Sequence, residues 1–113
     1  MNNMKIPLNY YKTINLQNII YLITNPDGLI YIGKAIDAKK RFKYYANLDC
    51  LNQKKLYESL IKYGIENHTI EILEYSLPKE ELNEKEIYYI EKYDSFRNGL
   101  NLTRGGDGSP RSK

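Results

Sequence analysis

The pattern of hydrophobic and polar positions predicts a β-hairpin near the start of the chain. Residues 19–24 and 29–33 are short runs rich in β-branched and aromatic side chains, and the turn-forming segment 25–28 separates them. Pro26 has its φ restricted to about −65°, which excludes the primed turns that need a positive φ at this position. The hairpin is therefore predicted to close through a type I turn with Gly28 in the left-handed region.

This turn also determines which residues face each other across the two strands. With residues 26–28 as the loop, Ile23 pairs with Tyr31 and Tyr21 pairs with Gly33, so both tyrosines lie on one face. Gly33 has no side chain to cover the Tyr21 ring, and both phenols are expected to be exposed. A shift of one residue in this register would place the two rings on opposite faces.

The apolar residues further along the chain predict three helices and one more strand. They are a helix over 38–48 capped by Asp37, a helix over 53–63 ended by Gly64, a strand over 69–75, and a helix from just after Pro78 to about 93. Together the elements predict an α/β chain of the α+β type. A small three-stranded antiparallel sheet that contains the hairpin is flanked by about three helices, within one domain.

One carboxylate interrupts the apolar side of the last predicted helix. That side is formed by Leu82, Tyr89, Ile90 and Tyr93. Each of them falls within about 60° of position 86 on a helical projection, so Glu86 faces the core. A charge there costs free energy unless a cation or good donors compensate it. Two interpretations remain open, because Glu86 either pairs with Arg41 or a lysine or is a metal ligand.

Composition excludes several classes of protein. The single cysteine, Cys50, cannot form an internal disulfide or a cysteine-based zinc site, which argues against a secreted disulfide scaffold. No apolar run approaches the roughly 20 residues of a membrane helix, and the N-terminal residues lack a signal-peptide core. An intracellular protein with no membrane partner is therefore expected.

The net charge of +3 is unevenly distributed along the chain. Residues 1–57 carry nine Lys or Arg against three Asp or Glu, residues 58–95 carry four against ten, and residues 96–113 carry four against one. Such segregation favours a basic face for a polyanion. An ordinary solvated surface explains the same charges equally well, so charge alone leaves both interpretations open.

The residues named so far supply the parts needed to hydrolyse a phosphodiester. The reaction needs an aligned water, a base for it, and positive charge on the phosphate. Glu86 can hold a divalent ion, which often takes one or two carboxylates, and Arg41 supplies a second cation. Tyr21 and Tyr31 are candidate bases if a cation such as Lys34 lowers their pKa. One carboxylate favours a one-metal site.

A series of short motifs extends over most of the chain. The motifs are Ile19-Ile20-Tyr21, then after nine residues Tyr31-Ile32-Gly33-Lys34, followed by Arg41, Lys62-Tyr63-Gly64, the stretch from Leu82 to Ile90, and Gly99-Leu100-Asn101-Leu102-Thr103. This series, from residue 18 to residue 108, resembles the GIY-YIG endonuclease superfamily, and in particular its phage-type and intron-encoded homing endonucleases. One departure is Ile19, which stands where the family signature has glycine.

The resemblance implies roles for four residues around the scissile phosphate. Tyr21 and Tyr31 would lie next to the attacking water, and Tyr21 would be the general base. Arg41 would bind and stabilise the phosphoryl group. Tyr45 stands where relatives carry histidine or tyrosine, and it would contact the phosphate or the leaving group.

The resemblance also implies a metal site and domain boundaries. Glu86 would hold one Mg²⁺ or Mn²⁺, with Asn101 supporting the site and Lys34 close to the tyrosines. The boundaries are an N-terminal extension over 1–17, the nuclease domain over 18–104 and a Gly-rich basic tail or linker over 105–113. The basic residues expected to contact DNA are Lys34, Lys39, Lys40, Lys43 and Arg104.

The expected function is a metal-dependent DNA endonuclease that acts wherever its DNA lies, in the cytoplasm, nucleoid or nucleus. Such modules usually continue into a DNA-recognition domain, so this chain either works alone with low specificity or is targeted by a part located elsewhere. The alternative is a catalytically silent nucleic-acid-binding module, for which a basic patch with tyrosines suffices. Glu86 distinguishes the endonuclease from the silent binding module, because binding a polyanion gains nothing from a carboxylate that faces the site. The oligomeric state stays open.

Overall fold

The computed structural model describes residues 4–106, in which an antiparallel sheet carries helices on both faces. The strands are β1 (Lys5–Pro7), β2 (Gln17–Thr24), β3 (Ile30–Asp37) and β4 (Thr69–Glu74), in the order β1-β4-β2-β3 across the sheet. The helices are α1 (Ala38–Ala46), α2 (Lys54–Tyr63) and α3 (Leu82–Tyr93), with 3-10 helices at Leu8–Thr13, Ile65–Asn67 and Lys79–Glu81. The expected α+β class is confirmed. No helix in this part of the chain is long and apolar enough to span a bilayer.

The hairpin of β2 and β3 has the expected turn and register. Gly28 has a φ of +82°, and its N–H donates to the carbonyl oxygen of Asn25 at 2.9 Å, as in a type I turn followed by a left-handed residue. Tyr21 lies opposite Gly33, and Ile23 lies opposite Tyr31 two positions along the ladder, so both tyrosines are on the same face of the sheet. The turn chemistry of residues 25–28 therefore sets the position of both tyrosines.

The sheet has one strand more than the sequence pattern predicts. β1 pairs with β4, with Ile6 opposite Ile70, and Leu8 in the following 3-10 helix is completely buried. Proline ends β1 at Pro7, which is tolerated because β1 is an edge strand. A strand of three residues is too short to show a hydrophobic period, so it escaped the sequence analysis. The expectation of three strands was wrong for this reason.

The two faces of the sheet bury separate hydrophobic cores. Tyr21, Tyr31 and Phe42 belong to the core under α1 and α2, whereas Ile32 and Ile90 belong to the core under α3. Alternate residues of β3 therefore enter different cores. Because β3 is the last strand of the sheet, both faces end at its outer edge, and side chains from the two cores can meet there.

Other parts of the chain hydrogen-bond to the outer edge of β3. The N–H of Leu100 donates to the carbonyl oxygen of Ile30 at 2.8 Å. The side chain of Asn101 bonds to both backbone groups of Ile32, since its Oδ1 accepts the N–H and its Nδ2 donates to the carbonyl, each at 2.8 Å. The segment after α3 is thereby fastened along the strand that carries the second tyrosine.

Candidate active site

Three tyrosines meet on the face of the sheet beneath α1. Tyr21 comes from β2, Tyr31 from β3 and Tyr45 from α1, and their ring centroids lie 6.1 to 6.3 Å apart. The hydroxyl groups of Tyr21 and Tyr45 are hydrogen-bonded to each other. A Cβ atom added to Gly33 would overlap the hydroxyl of Tyr21, so the missing side chain makes room for this ring.

Both phenols of the hairpin are buried, and the expectation that they are exposed was wrong. Tyr21 is 0% exposed and Tyr31 is 7% exposed. Phe42 packs edge-on against Tyr21 with 5.0 Å between ring centroids, and it covers the ring together with Tyr45. The reason lies in α1, whose buried residues close over the hairpin, a tertiary contact that the local turn chemistry does not contain.

Burial also controls the protonation of this cluster. Burial is the main cause that raises the pKa of Tyr21 and that of Tyr31 well above the usual phenol value, and negative charge on Tyr45 would raise both further. The Arg41 guanidinium opposes this effect at Tyr21 and at Tyr45, but burial still leaves the pKa of Tyr45 raised. In the protein alone, the three hydroxyl groups are therefore neutral at neutral pH.

Arg41 lies between the tyrosines and the outer edge of β3. Its Nη1 donates to the carbonyl oxygen of Lys34 at 3.3 Å. Burial disfavours the charged guanidinium, but Tyr21 and Tyr45 outweigh burial and raise the pKa of Arg41 above its usual value. A permanent cation is thus fixed at the start of α1, in the position that the sequence analysis assigned to a phosphate-binding residue.

A cavity of about 280 Å³ opens at the edge of β3. It is lined by Tyr31, Lys34, Arg41, Asn52, Gln53, Glu86, Ile90, Asn101, Leu102, Thr103 and Gly105. Tyr31 and Lys34 project from opposite faces of the sheet because successive side chains of a strand alternate between its faces and these two lie three positions apart. The cavity therefore wraps around the strand edge and brings α1 and α3 together, although these helices cover different faces. Tyr21 lies behind Tyr31 and is absent from the lining.

Glu86 enters this cavity from α3 with 8% exposure. Its Oε1 accepts a hydrogen bond from Lys34 Nζ at 2.9 Å and another from the backbone N–H of Gly106 at 3.0 Å. In the protein alone, Glu86 is thus paired with a lysine, which was one of the two interpretations of its sequence position. Gly105 lines the cavity and Gly106 contacts the carboxylate, so the described start of the tail expected over 105–113 belongs to the site.

The oxygen donors around this cavity fit a cation that uses few protein ligands. Within residues 4–106, no group of three or more His, Cys, Asp or Glu side chains gathers in a metal-binding cluster. Mg²⁺ commonly takes one or two carboxylates and completes its shell with water and substrate phosphate. Glu86 is a ligand of this kind, and it faces the same space as Arg41. The donor set therefore fits one cation with a mostly non-protein shell.

Asn101 acts on the strand rather than on the cavity contents. Its Oδ1 also accepts the Ser95 hydroxyl at 2.7 Å, in addition to the N–H of Ile32. Both side-chain groups of Asn101 are occupied by these protein partners, and the residue is only 5% exposed. Asn101 therefore supports the site by holding the backbone next to Tyr31.

The structure separates the basic residues that were expected to bind DNA together. Lys40 lines a groove that shares Arg41 with the cavity. Lys39 and Lys43 line a second groove, which Lys40 also borders but Arg41 does not, because residues two positions from Arg41 point away from it. Of these three lysines, only Lys40 lines a groove together with Arg41.

Two other basic residues, Lys12 and Arg104, lie outside the cavity. Lys12, in the first 3-10 helix, lies with Lys39 and Lys43 at a shallow pocket on the far side of α1. Arg104 is exposed and stacks over the ring of Phe96, with 5.0 Å from its guanidinium carbon to the ring centroid. Neither of these residues lines the cavity.

Sequence reasoning missed several residues that line the cavity, among them Gln53 and Gly105. Gln53 immediately precedes α2, and its Oε1 is buried without a hydrogen-bond partner among the described residues. No spacing rule connects the start of α2 to the hairpin. The glycine pair at 105–106 was visible in the sequence, and two consecutive glycines are a signal of close backbone approach.

The cavity holds two cationic side chains and a carboxylate beside buried phenols. These groups can bind an anionic phosphodiester, and together with this fold they indicate a nuclease domain. The family model of the GIY-YIG catalytic domain matches residues 17–101, and the chain belongs to this family. It is accordingly a nuclease, as the motifs predicted.

Two solved structures are similar to this chain. The catalytic domain of homing endonuclease I-TevI is 31% identical with a TM-score of 0.67, and the match covers 77% of this chain and 99% of that one. A mutant of the catalytic domain of intron endonuclease I-TevI, in which alanine replaces a glutamate, is 28% identical with a TM-score of 0.68, over 79% of this chain and 96% of that one. No curated protein sequence matches the chain.

Proposed function

We propose that this nuclease is a DNA endonuclease that hydrolyses phosphodiester bonds with one divalent cation, Mg²⁺ or Mn²⁺, held by Glu86. The observation that carries the proposal is the cavity at the edge of β3, where Tyr31, Arg41 and Glu86 face a space of about 280 Å³. A carboxylate repels a phosphate unless a cation lies between them. An acid in this position is therefore a ligand for such a cation.

The side chains of Arg41 and Lys34 are proposed to bind the scissile phosphate. The planar guanidinium of Arg41 can donate to two phosphate oxygens at once. A divalent cation bound to Glu86 supplies further positive charge to the transition state. With such a cation bound, Glu86 would no longer need Lys34 as its partner, and the Lys34 ammonium would be free to donate to the phosphate. The ion pair in the protein alone keeps both side chains compensated until substrate arrives.

Tyr31 is proposed as the general base, in place of Tyr21, to which the sequence analysis assigned this role. Tyr31 lines the cavity, whereas the hydroxyl of Tyr21 lies behind it and is bonded to Tyr45. In the phenolate form, the Tyr31 oxygen would accept a proton from the attacking water. Burial is the main cause of its raised pKa, and the charge of Glu86 contributes to the same effect. Neutralisation of Glu86 by a cation therefore favours the phenolate.

The DNA is proposed to lie across the edge of β3 and the start of α1. Lys40 would contact a phosphate near the cleaved bond, since its groove adjoins the cavity. Lys39 and Lys43 would contact phosphates farther away, on the other side of α1. Phosphate contacts carry no direct sequence information. Target choice is therefore proposed to depend on a separate recognition part.

The ion pair between Lys34 and Glu86 is the observation that favours the alternative, a catalytically silent DNA-binding module. In that case the pair would be a permanent structural contact, and the tyrosines and lysines alone would hold the nucleic acid. The two functions predict different effects of a metal chelator and of changes at Glu86.

The test is nicking of supercoiled plasmid by the wild-type chain and by Glu86→Ala and Arg41→Ala, with Mg²⁺, with Mn²⁺ and with EDTA. We expect nicking with either metal, none with EDTA, and at least a hundredfold lower rate in both variants. Glu84→Ala is the matched control, because Glu84 lies on the same helix but is exposed. Full activity of Glu86→Ala, with its circular dichroism spectrum unchanged, would contradict the role of Glu86.

A further inference from the structure

The segment that follows Asn101 returns across α3 and approaches the active-site carboxylate with its backbone. Gly105 and Gly106 both have positive φ values, +97° and +77°. Gly105 lines the cavity, and the N–H of Gly106 donates to Oε1 of Glu86 at 3.0 Å. Two consecutive left-handed residues are adopted most readily by glycine.

The packing of this segment gives a second reason for glycine at both positions. A Cβ atom on Gly105 would lie 2.8 Å from Cδ1 of Ile90, and one on Gly106 would lie 2.8 Å from Cδ1 of Ile87. Both isoleucines belong to α3 and follow Glu86, Ile87 at the next position and Ile90 one turn later. The backbone is therefore in close contact with this part of α3. The positive φ values favour glycine at both positions, and a side chain there would also have to displace the ends of two isoleucine side chains.

We propose that Gly105–Gly106 is a positioning segment of the active site, in which the Gly106 N–H fixes Oε1 of Glu86 and leaves Oε2 for the divalent cation. This inference rests on the proposed function of Glu86. The other partner of Oε1 is Lys34, whose long side chain would be free to turn toward a phosphate once a cation compensated Glu86. The Gly106 N–H belongs to backbone that packs against Ile87 and Ile90, so it would keep the carboxylate oriented when the lysine leaves.

The consequence is a measurable effect on cation binding that does not depend on turnover. Hydrogen bonds that orient a metal ligand change metal affinity or activity by about 10- to 100-fold when they are removed. Gly106→Ala cannot adopt the backbone conformation without strain, and Gly106→Pro also removes the N–H. Gly28→Ala is the matched control, because Gly28 has a similar φ of +82° but lies in the hairpin turn with no atom near its Cβ.

The experiment measures Tb³⁺ binding by tyrosine-sensitised luminescence, competition of Mn²⁺ for the bound Tb³⁺, plasmid nicking, and thermal unfolding for the wild-type chain and the three variants. We expect both Gly106 variants to bind Tb³⁺ and Mn²⁺ at least tenfold more weakly and to nick with a lower kcat. Their KM for DNA and their circular dichroism spectra should match the wild type. Gly28→Ala should bind both metals as the wild type does, because its strain falls on the hairpin turn and not on the segment that contacts Glu86.

Different results would contradict the positioning role of Gly105–Gly106 and the proposed function. Unchanged or tighter metal binding in both Gly106 variants would overturn the positioning role, even if the variants were less stable. If a Gly106 variant does not fold, Gly105→Ala tests the same close approach from the neighbouring position. A wild-type chain that nicks no DNA with any metal would contradict the proposed function instead, so the two failures can be told apart.

Discussion

Tyr31 lines the cavity, whereas Tyr21 and Tyr45 do not, although the hydroxyl of Tyr31 also interacts with that of Tyr45. Tyr21 and Tyr45 bond to each other, and Phe42 closes over Tyr21 from α1. Tyr31 lies at the edge strand, where the cavity begins. Three similar side chains therefore have different environments, and the environment decides which phenol can meet a water molecule. The same argument predicts unequal effects of removing their hydroxyl groups.

Replacement of Tyr31 by phenylalanine should lower kcat for plasmid nicking by about a hundredfold or more, the usual contribution of a general base. KM should change little, because Arg41 and the lysines bind the phosphates. Tyr21→Phe should retain more activity and mainly lose about 1 kcal/mol of unfolding free energy with its bond to Tyr45. Steady-state nicking and urea unfolding measure the two quantities. Loss of activity in Tyr21→Phe with an active Tyr31→Phe would restore Tyr21 as the base.

At the scale of elements, β3 is the part of the sheet on which the site depends. It carries Tyr31 on one face and Lys34 on the other, and its outer edge is held by Leu100 and Asn101 instead of by another strand. The last segment of the domain thus determines where the two side chains of the site stand. Any change that releases this segment should affect both stability and activity.

Asn101→Ala should lower the unfolding free energy by about 2 kcal/mol, because both backbone groups of Ile32 lose their partner. The nicking rate should fall as well, since Tyr31 precedes the released residue. Urea unfolding with a nicking assay on the same preparation measures both effects. Asn98→Ala serves as the control, since Asn98 is exposed and its side chain bonds to Asp94 in the neighbouring turn. Equal unfolding free energies of the two variants would contradict the stabilising role of the hydrogen bonds between Asn101 and Ile32.

The elements that could be predicted from the sequence are those governed by local chemistry. Pro26 and Gly28 determine the hairpin register, Asp37 caps α1 by accepting the N–H of Lys40, and Gly64 ends α2 with a φ of +88°. The inward position of Glu86 follows from helical periodicity alone, and its 8% exposure agrees with this.

The features of the fold and the site that the sequence pattern did not predict depend on contacts between segments far apart in the chain. Lys34 and Glu86 are 52 positions apart, and no spacing rule distinguishes this partner from Arg41. The burial of Tyr21 depends on Phe42 from α1, and the pairing of β1 with β4 joins residues near position 6 to residues near position 70. Such contacts are set by how the elements pack, so the sequence pattern indicated the participants but not their arrangement.

At the scale of the whole molecule, basic side chains occupy both sides of α1, while the acidic side chains are concentrated after residue 57. Lys40 continues the cavity along one groove, and Lys39, Lys43 and Lys12 form a patch on the opposite side of the helix. A duplex that reaches both regions must contact phosphates well beyond the cleaved bond. Its affinity should therefore depend on salt through more than the active-site cations.

Each phosphate contact releases counterions, so removing one should reduce the slope of log Kobs against log salt by about one. Lys40→Gln should reduce the slope by about one, and the Lys39→Gln, Lys43→Gln double variant by about two, with kcat at saturating DNA unchanged. Fluorescence anisotropy of a labelled duplex over a salt series measures the slopes. Lys62→Gln removes the same charge from the far end of α2 and should leave the slope unaltered. An unchanged slope in the double variant would limit the DNA to the groove of Lys40.

The occupied edge of β3 also bears on how copies of this protein can meet. Strand addition between molecules requires an edge whose carbonyl and N–H groups are free to pair with a second chain. The carbonyl group of Ile30 and both backbone groups of Ile32 are already bonded to Leu100 and Asn101 of the same molecule. Self-association by extending the sheet is therefore disfavoured along this stretch of β3, on the side of the active site. Two molecules that cut opposite strands of one duplex would have to meet through another surface or arrive one after the other.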